Sequence, residues 1–126
     1  MARKIAFWTA TSLVTIAALS GGISYLLTTP HSVENFQHVG YPQQLRVLLG
    51  FGKVAGSIVL LLPRLPLLKE WVYANFTFMW IAATVAHYLA DDGALTLAPV
   101  ALLGALAVSY LTRSVNRRVA AERLAA

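Results

Sequence analysis

The chain has no cysteine among its 126 residues. Disulfide exchange, thiolate nucleophiles, cysteine-ligated zinc and iron–sulfur clusters are therefore excluded for this chain acting alone. Charge is also scarce. Charged residues make up 12% of the sequence, against about one quarter in a soluble domain. The acidic residues are Glu34, Glu70, Asp91, Asp92 and Glu122, each in a loop or near the end of an apolar run. A cation antiporter needs a carboxylate deep in the membrane, and none of these meets that need. No phosphate-binding loop, nucleophile elbow or pair of catalytic carboxylates is found. Internal repeats and low-complexity segments are absent as well.

What the chain does have is apolar length. Hydrophobic residues make up 58% of it, in runs that place it among polytopic membrane proteins. The formal net charge is +5. Its basic residues flank the apolar runs, so membrane orientation accounts for them better than nucleic acid does. The expected fold is all-α, a four-helix membrane bundle over residues 1–112, followed by a basic cytoplasmic tail at 113–126.

Four spans are expected, at about 5–27, 45–62, 70–89 and 95–111. Arg3 and Lys4 before the first, and Ala18-Leu19-Ser20 within it, raise the reading of a secretory signal. The run continues past them to Leu27 and is long enough to span, which favours a retained helix. Thr9, Ser12 and Thr15 are expected along one side of it. Gly21-Gly22, and the Gly52 and Gly56 pair on the second span, are candidates for close helix contacts. Pro30 closes the first span. Ser32 is expected to cap a short interfacial helix running to about Phe36. Gly40-Tyr41-Pro42 and the double-proline loop Pro63 to Pro66 flank the second span, and Asp91-Asp92-Gly93 follows the third. Pro99 falls in the first turn of the fourth, where proline is tolerated. Arg3, Lys4, Arg64, Lys69, Arg113, Arg117, Arg118 and Arg123 fall on one side of this arrangement and only Arg46 on the other. Both termini are therefore expected in the cytoplasm of a multi-pass inner-membrane protein.

The third span carries the candidate site. Glu70, Tyr73, Thr77, Trp80, Thr84 and His87 recur every three or four residues, so they share one helix face. In lipid such a face turns towards protein. Spans alternate in direction and rise by about 1.5 Å per residue, so residues can be matched by depth. Lys53 then lies near the midplane, with Trp80, Thr77, Thr84, Thr15 and Ser12 as its neighbours. A lysine there costs on the order of 3 kcal/mol by insertion scales. Hydroxyl acceptors and the face of Trp80 would offset that cost. The expected ligand pocket comprises Lys53, Trp80, Thr77, Thr84, Tyr73 and Thr15. Glu70 lies at the cytoplasmic rim beside Arg64 and Arg113, and His87 at the outer rim level with Arg46. The stripe is therefore a ladder and not a catalytic triad. His31, Glu34 and His38 have helical spacing, but Pro30 and Ser32 place His31 ahead of the helix. A solvated loop is the expectation there, with no metal. Only His87 lies in a span, which argues against a haem held by two histidines.

Several stretches together resemble the DoxX-like family of small four-helix membrane proteins. They are Gly40-Tyr41-Pro42, Leu49-Gly50-Phe51-Gly52-Lys53-Val54-Ala55-Gly56, Pro63, Leu68-Lys69-Glu70-Trp71-Val72-Tyr73-Ala74, and Ile81-Ala82-Ala83 followed by His87. The resemblance covers about residues 5–112. It implies a four-helix membrane bundle with both ends cytoplasmic. The family name comes from a subunit of an archaeal thiosulfate–quinone oxidoreductase, and some relatives are linked to oxidative or electrophile stress. Many members have no assigned activity, and no agreed catalytic residues carry over. Lys53, Glu70 and His87 match the family pattern. The first reading is a DoxX-like inner-membrane protein whose polar pocket binds a small lipophilic ligand such as a quinone and supports redox or stress physiology. An accessory membrane subunit is favoured over a stand-alone enzyme. The bilayer is the expected partner, with a homo-oligomer or a membrane redox protein beside it, and no nucleic acid. A small oligomeric transporter or channel, or a non-catalytic assembly subunit, are the alternatives.

Overall fold

A computed structural model describes residues 1–113. Of the tail expected at 113–126, residues 114–126 lie outside the described residues. Within them the chain is all-helical, with α1 at Ala2–Leu26, α2 at Pro30–Val39, α3 at Gln43–Leu61, α4 at Pro66–Leu89 and α5 at Leu97–Leu111. A 3-10 turn, Gly93–Thr96, leads into α5. Among the described residues, three helical segments are long and apolar enough to cross a membrane: Ala2–Leu26, Gln43–Leu61 and Gly93–Leu111. The span expected at 70–89 falls in α4, which has the length but a lower mean hydropathy than these three. Glu70, Asn75 and His87 lower it.

The helix boundaries have local causes. Pro66 occupies the first turn of α4, where its missing N–H costs nothing. The helix therefore starts before the expected position, and Glu70 lies in its second turn. The short helix between the first two long ones is also longer than expected. Thr29, not Ser32, caps α2: its hydroxyl accepts the Ser32 N–H at 3.3 Å. Pro30 then opens the helix, so His31 lies inside α2, contrary to the sequence expectation. Gly40 closes α2 at φ 79°, a left-handed conformation that glycine adopts without steric cost.

α1 packs on α3 and α5, and α4 packs on α5 and α3. α2 lies across one end and touches α1, α3 and α4. The core gathers Val14 and Ala18 of α1, Leu60 of α3, Tyr73, Phe76, Met79 and Trp80 of α4, and Leu106 of α5. α4 contributes most of it. All six residues of its polar face are buried or half-buried, whereas Trp71, Phe78 and Tyr88 on other sides are exposed. Exposed apolar side chains such as Leu13, Ile16, Phe51, Ile58 and Leu97 clothe the outer surface, as suits a chain solvated by lipid.

Glycine sets the closeness of two crossings. A Cβ on Gly22 would meet Lys53 Cβ and Val54 Cγ2 at 2.9 Å and the Gly50 carbonyl at 3.0 Å. A Cβ on Gly56 would meet the Phe76 ring at 2.8 Å. Gly52, expected to work with Gly56, faces only Asn75 Nδ2 at 3.5 Å. The working contacts are thus Gly22 with Gly50 between α1 and α3, and Gly56 between α3 and α4. Gly22→Ala should lower stability by about 1–3 kcal/mol, because a backbone carbonyl cannot yield as a side chain does. Gly104→Ala, with nothing within 4 Å, should lose none. Thermal unfolding of both variants in detergent checks this.

Candidate functional site

Lys53 sits on α3, half-buried, with its chain laid against Gly21 and Gly22 of α1. Its Nζ stands 4.1 Å from the centroid of the Tyr25 ring. A cation over an aromatic face is stabilised by the ring quadrupole. The aromatic partner is therefore Tyr25 and not Trp80, because the side chain runs along α1 towards the end where Tyr25 lies. Tyr25 in turn packs edge-on against Phe36 of α2, with centroids 5.0 Å apart.

A cavity of about 450 Å³ opens beside this lysine. Trp80, Met79, Ala83, Ala86 and His87 of α4 form one side, and Leu45, Leu49 and Lys53 of α3 the other. Tyr25, Phe36, Val39 and Tyr41 close it at the end where α2 crosses. Its wall is mostly apolar. The polar groups on it are Lys53, His87, Asn35, Asn75 and the two tyrosines. Of the residues expected to form one pocket, Lys53 and Trp80 border this cavity, joined by His87 from the expected rim.

The remaining expected pocket residues lie elsewhere. Thr77, Thr84 and Thr15 donate their hydroxyls to carbonyls one turn back: Tyr73 at 2.7 Å, Trp80 at 2.7 Å and Thr11 at 2.8 Å. A threonine buried in a helix satisfies its donor this way, and none of the three borders the cavity beside the lysine. Thr77, with Tyr73 and Glu70, instead borders a second cavity of about 340 Å³ against α5. On α1, Thr9 and Ser12 are exposed and Thr11 is buried. The inward side of α1 is thus the one through Thr11 and Thr15.

The buried hydroxyls of α1, α4 and α5 form a chain that the sequence did not announce. Thr11 Oγ1 lies 2.6 Å from Ser109 Oγ, which lies 2.8 Å from the Tyr73 hydroxyl. Hydroxyls both donate and accept, so each group finds a partner inside the protein. Tyr73 thereby serves to join helices.

Each end of α4 carries a charged cluster. Glu70 pairs with the Arg113 guanidinium and accepts the Tyr110 hydroxyl at 3.0 Å. The guanidinium also stacks on Tyr110, 3.7 Å from the ring centroid. At the opposite end Asp92 stands between two histidines. Its Oδ2 accepts from His87 Nδ1 at 2.6 Å and its Oδ1 from His38 Nε2 at 2.5 Å. Arg46 is buried at this end and donates to the Tyr25 carbonyl, Gln43 Oε1 and Thr28 Oγ1. Asp92 could not be picked out beforehand, because an Asp-Asp-Gly turn reads as a solvated loop. Only the fold brings His38 across to it. Among the described residues no three metal-ligating side chains are placed so that they could hold a metal ion.

The two histidine hydrogen bonds, His87 first, hold the Asp92 carboxyl below its ordinary value of 3.8. A carboxyl whose pKa is depressed on folding stabilises the fold above its unfolded value, and the effect fades as pH falls through the folded one. Asp92→Asn should therefore be less stable than the parent at neutral pH. The gap should narrow only once pH drops below 3.8. Unfolding midpoints across an acid pH series check both parts.

Comparisons with curated proteins and with solved structures gave no match. The sequence profile of the DoxX-like family matches residues 9–109. That stretch contains Lys53, the polar face of α4 and the Asp92 turn, and it takes in most of the three apolar helical segments. The chain is a membrane protein of the DoxX-like family.

Proposed function

We propose that the chain crosses the inner membrane four times, with both termini cytoplasmic, and holds a small lipophilic ligand such as a quinone in the cavity beside Lys53. The observation that carries this reading is the cavity itself. It has a volume of about 450 Å³ and an apolar wall, with one ammonium group at its side. Ligand sites have this character: an apolar enclosure with a few placed polar groups. Lys53 donates to a ligand oxygen, and Trp80 supplies a flat wall.

Two contacts support the orientation. Arg3 at the start of α1 donates to the Leu111 carbonyl at the end of α5, 3.1 Å away. Glu70 and Arg113 lie at that same end, with Lys4, Arg64 and Lys69 on segments that begin or end there. Basic residues of this kind mark the cytoplasmic face. Arg46, the exception, is buried on backbone and side-chain oxygens, so it need not follow the rule. The polar face of α4 turns to protein, which lets that helix span despite its lower mean hydropathy. No carboxylate among the described residues borders the cavity, which leaves a cation exchanger without its usual carrier.

Titration of the protein in nanodiscs with a short-chain benzoquinone should show saturable binding. Lys53→Met should weaken it about tenfold, the worth of one charge-assisted hydrogen bond. Equal affinity in the variant would remove Lys53 from the role, and no binding by the parent would end the reading.

A further inference from the structure

The geometry points to His87, its tautomer set by Asp92, as a hydrogen-bond acceptor inside the cavity, and so to a ligand that carries a donating hydroxyl, as a phenol or quinol ring does. This rests on the ligand-binding reading above and adds the chemistry the ligand has to present.

His87 borders the cavity and its side chain is 17% exposed. Its Nδ1 is committed to Asp92 Oδ2 at 2.6 Å. A carboxylate only accepts, so the Nδ1 edge carries the proton. In a neutral imidazole the other nitrogen is then a bare acceptor. Nε2 has no hydrogen-bond partner among the described residues. Asp92 is held from its far side by His38 at 2.5 Å, so its carboxylate is anchored at both oxygens and keeps the ring in register. Asp92 and His38 are positioning residues, and the group that meets the ligand is His87.

Lys53 is the complement, since an ammonium group only donates. The cavity therefore offers a donor from α3 and an acceptor from α4. The other titratable groups on its wall are Tyr25 of α1 and Tyr41 after α2. A ring bearing only carbonyl oxygens satisfies Lys53 and leaves His87 unpaired. A hydroxylated ring satisfies both, because its oxygen accepts and its O–H donates. A site built around a hydrogen bond discriminates against the analogue that cannot make it. Trp80, Tyr41 and Phe78 on the wall suit a flat ring.

The test is an anaerobic titration of the full chain in nanodiscs with a short-chain alkyl benzoquinol and with the matching benzoquinone. The quinol should bind about tenfold tighter. His87→Phe should abolish that preference. Asp92→Asn should narrow it, because an amide can donate to Nδ1 and move the ring proton to Nε2. This second variant carries the test if His87→Phe does not fold. Tighter binding of the quinone would mean that Nε2 donates, and would overturn the inference. So would a preference that survives His87→Phe, which would move the acceptor to Asn35 or Asn75. Equal binding of both rings would remove His87 and leave the cavity as a ligand site. No binding of either would remove both readings together.

Discussion

α4 carries Glu70, Tyr73, Thr77, Trp80, Thr84 and His87 along one side and covers that side with protein, as polar atoms require wherever lipid offers them no partner. The other elements are arranged by that requirement. α5 supplies Ser109 and Tyr110 to Tyr73 and Glu70, and α1 completes the hydroxyl chain with Thr11. α3 comes close enough at Gly56 to seat Phe76. Thr77 and Thr84 turn their hydroxyls back on their own helix. No buried side-chain nitrogen or oxygen among the described residues is left without a partner. In a medium of low dielectric that completeness matters more than the strength of any single bond.

The covering is uneven, and the larger of the two cavities described lies where it is thin. Towards the Glu70 end, α4 and α5 meet through aromatic, hydroxyl and ionic contacts. Towards the Asp92 end, α2 crosses the mouth of the cavity, and the side chains that face inward there include Lys53 and His87. The His38 to Asp92 to His87 cluster joins α2 to the end of α4. The same three residues thus help to hold the roof of the cavity and to orient one of its walls. Lys53 reaches this region because Gly21 and Gly22 leave room for its chain to run along α1 to Tyr25.

Much of the helical layout was legible from periodicity and breakers. The runs of apolar residues fall in α1, α3, α4 and α5, and Pro30, Gly40, Pro66 and Pro99 lie where helices start or stop. The inward turn of the Glu70 to His87 face follows directly from its spacing of three and four. What could not be read is which polar residues meet. Depth matching puts Lys53 level with Trp80 but says nothing of the direction its long side chain takes. It also gives no sign that threonines will bond to their own helix. Asp92 looks like a turn residue until α2 folds over it, and Thr11 looks no different from Thr9 until the rotation of α1 is known. Local pattern sets which face is buried, whereas pairings between helices depend on rotations of a few tens of degrees that no single segment encodes.

The most direct test of the account is native mass spectrometry of the protein released from its own membranes, compared with Ala83→Trp, which fills the cavity wall beside Trp80. The account predicts a lipophilic molecule bound to the parent chain and absent from the variant, with both equally folded. A parent chain that carries nothing, or a molecule retained equally by Ala83→Trp, would contradict it.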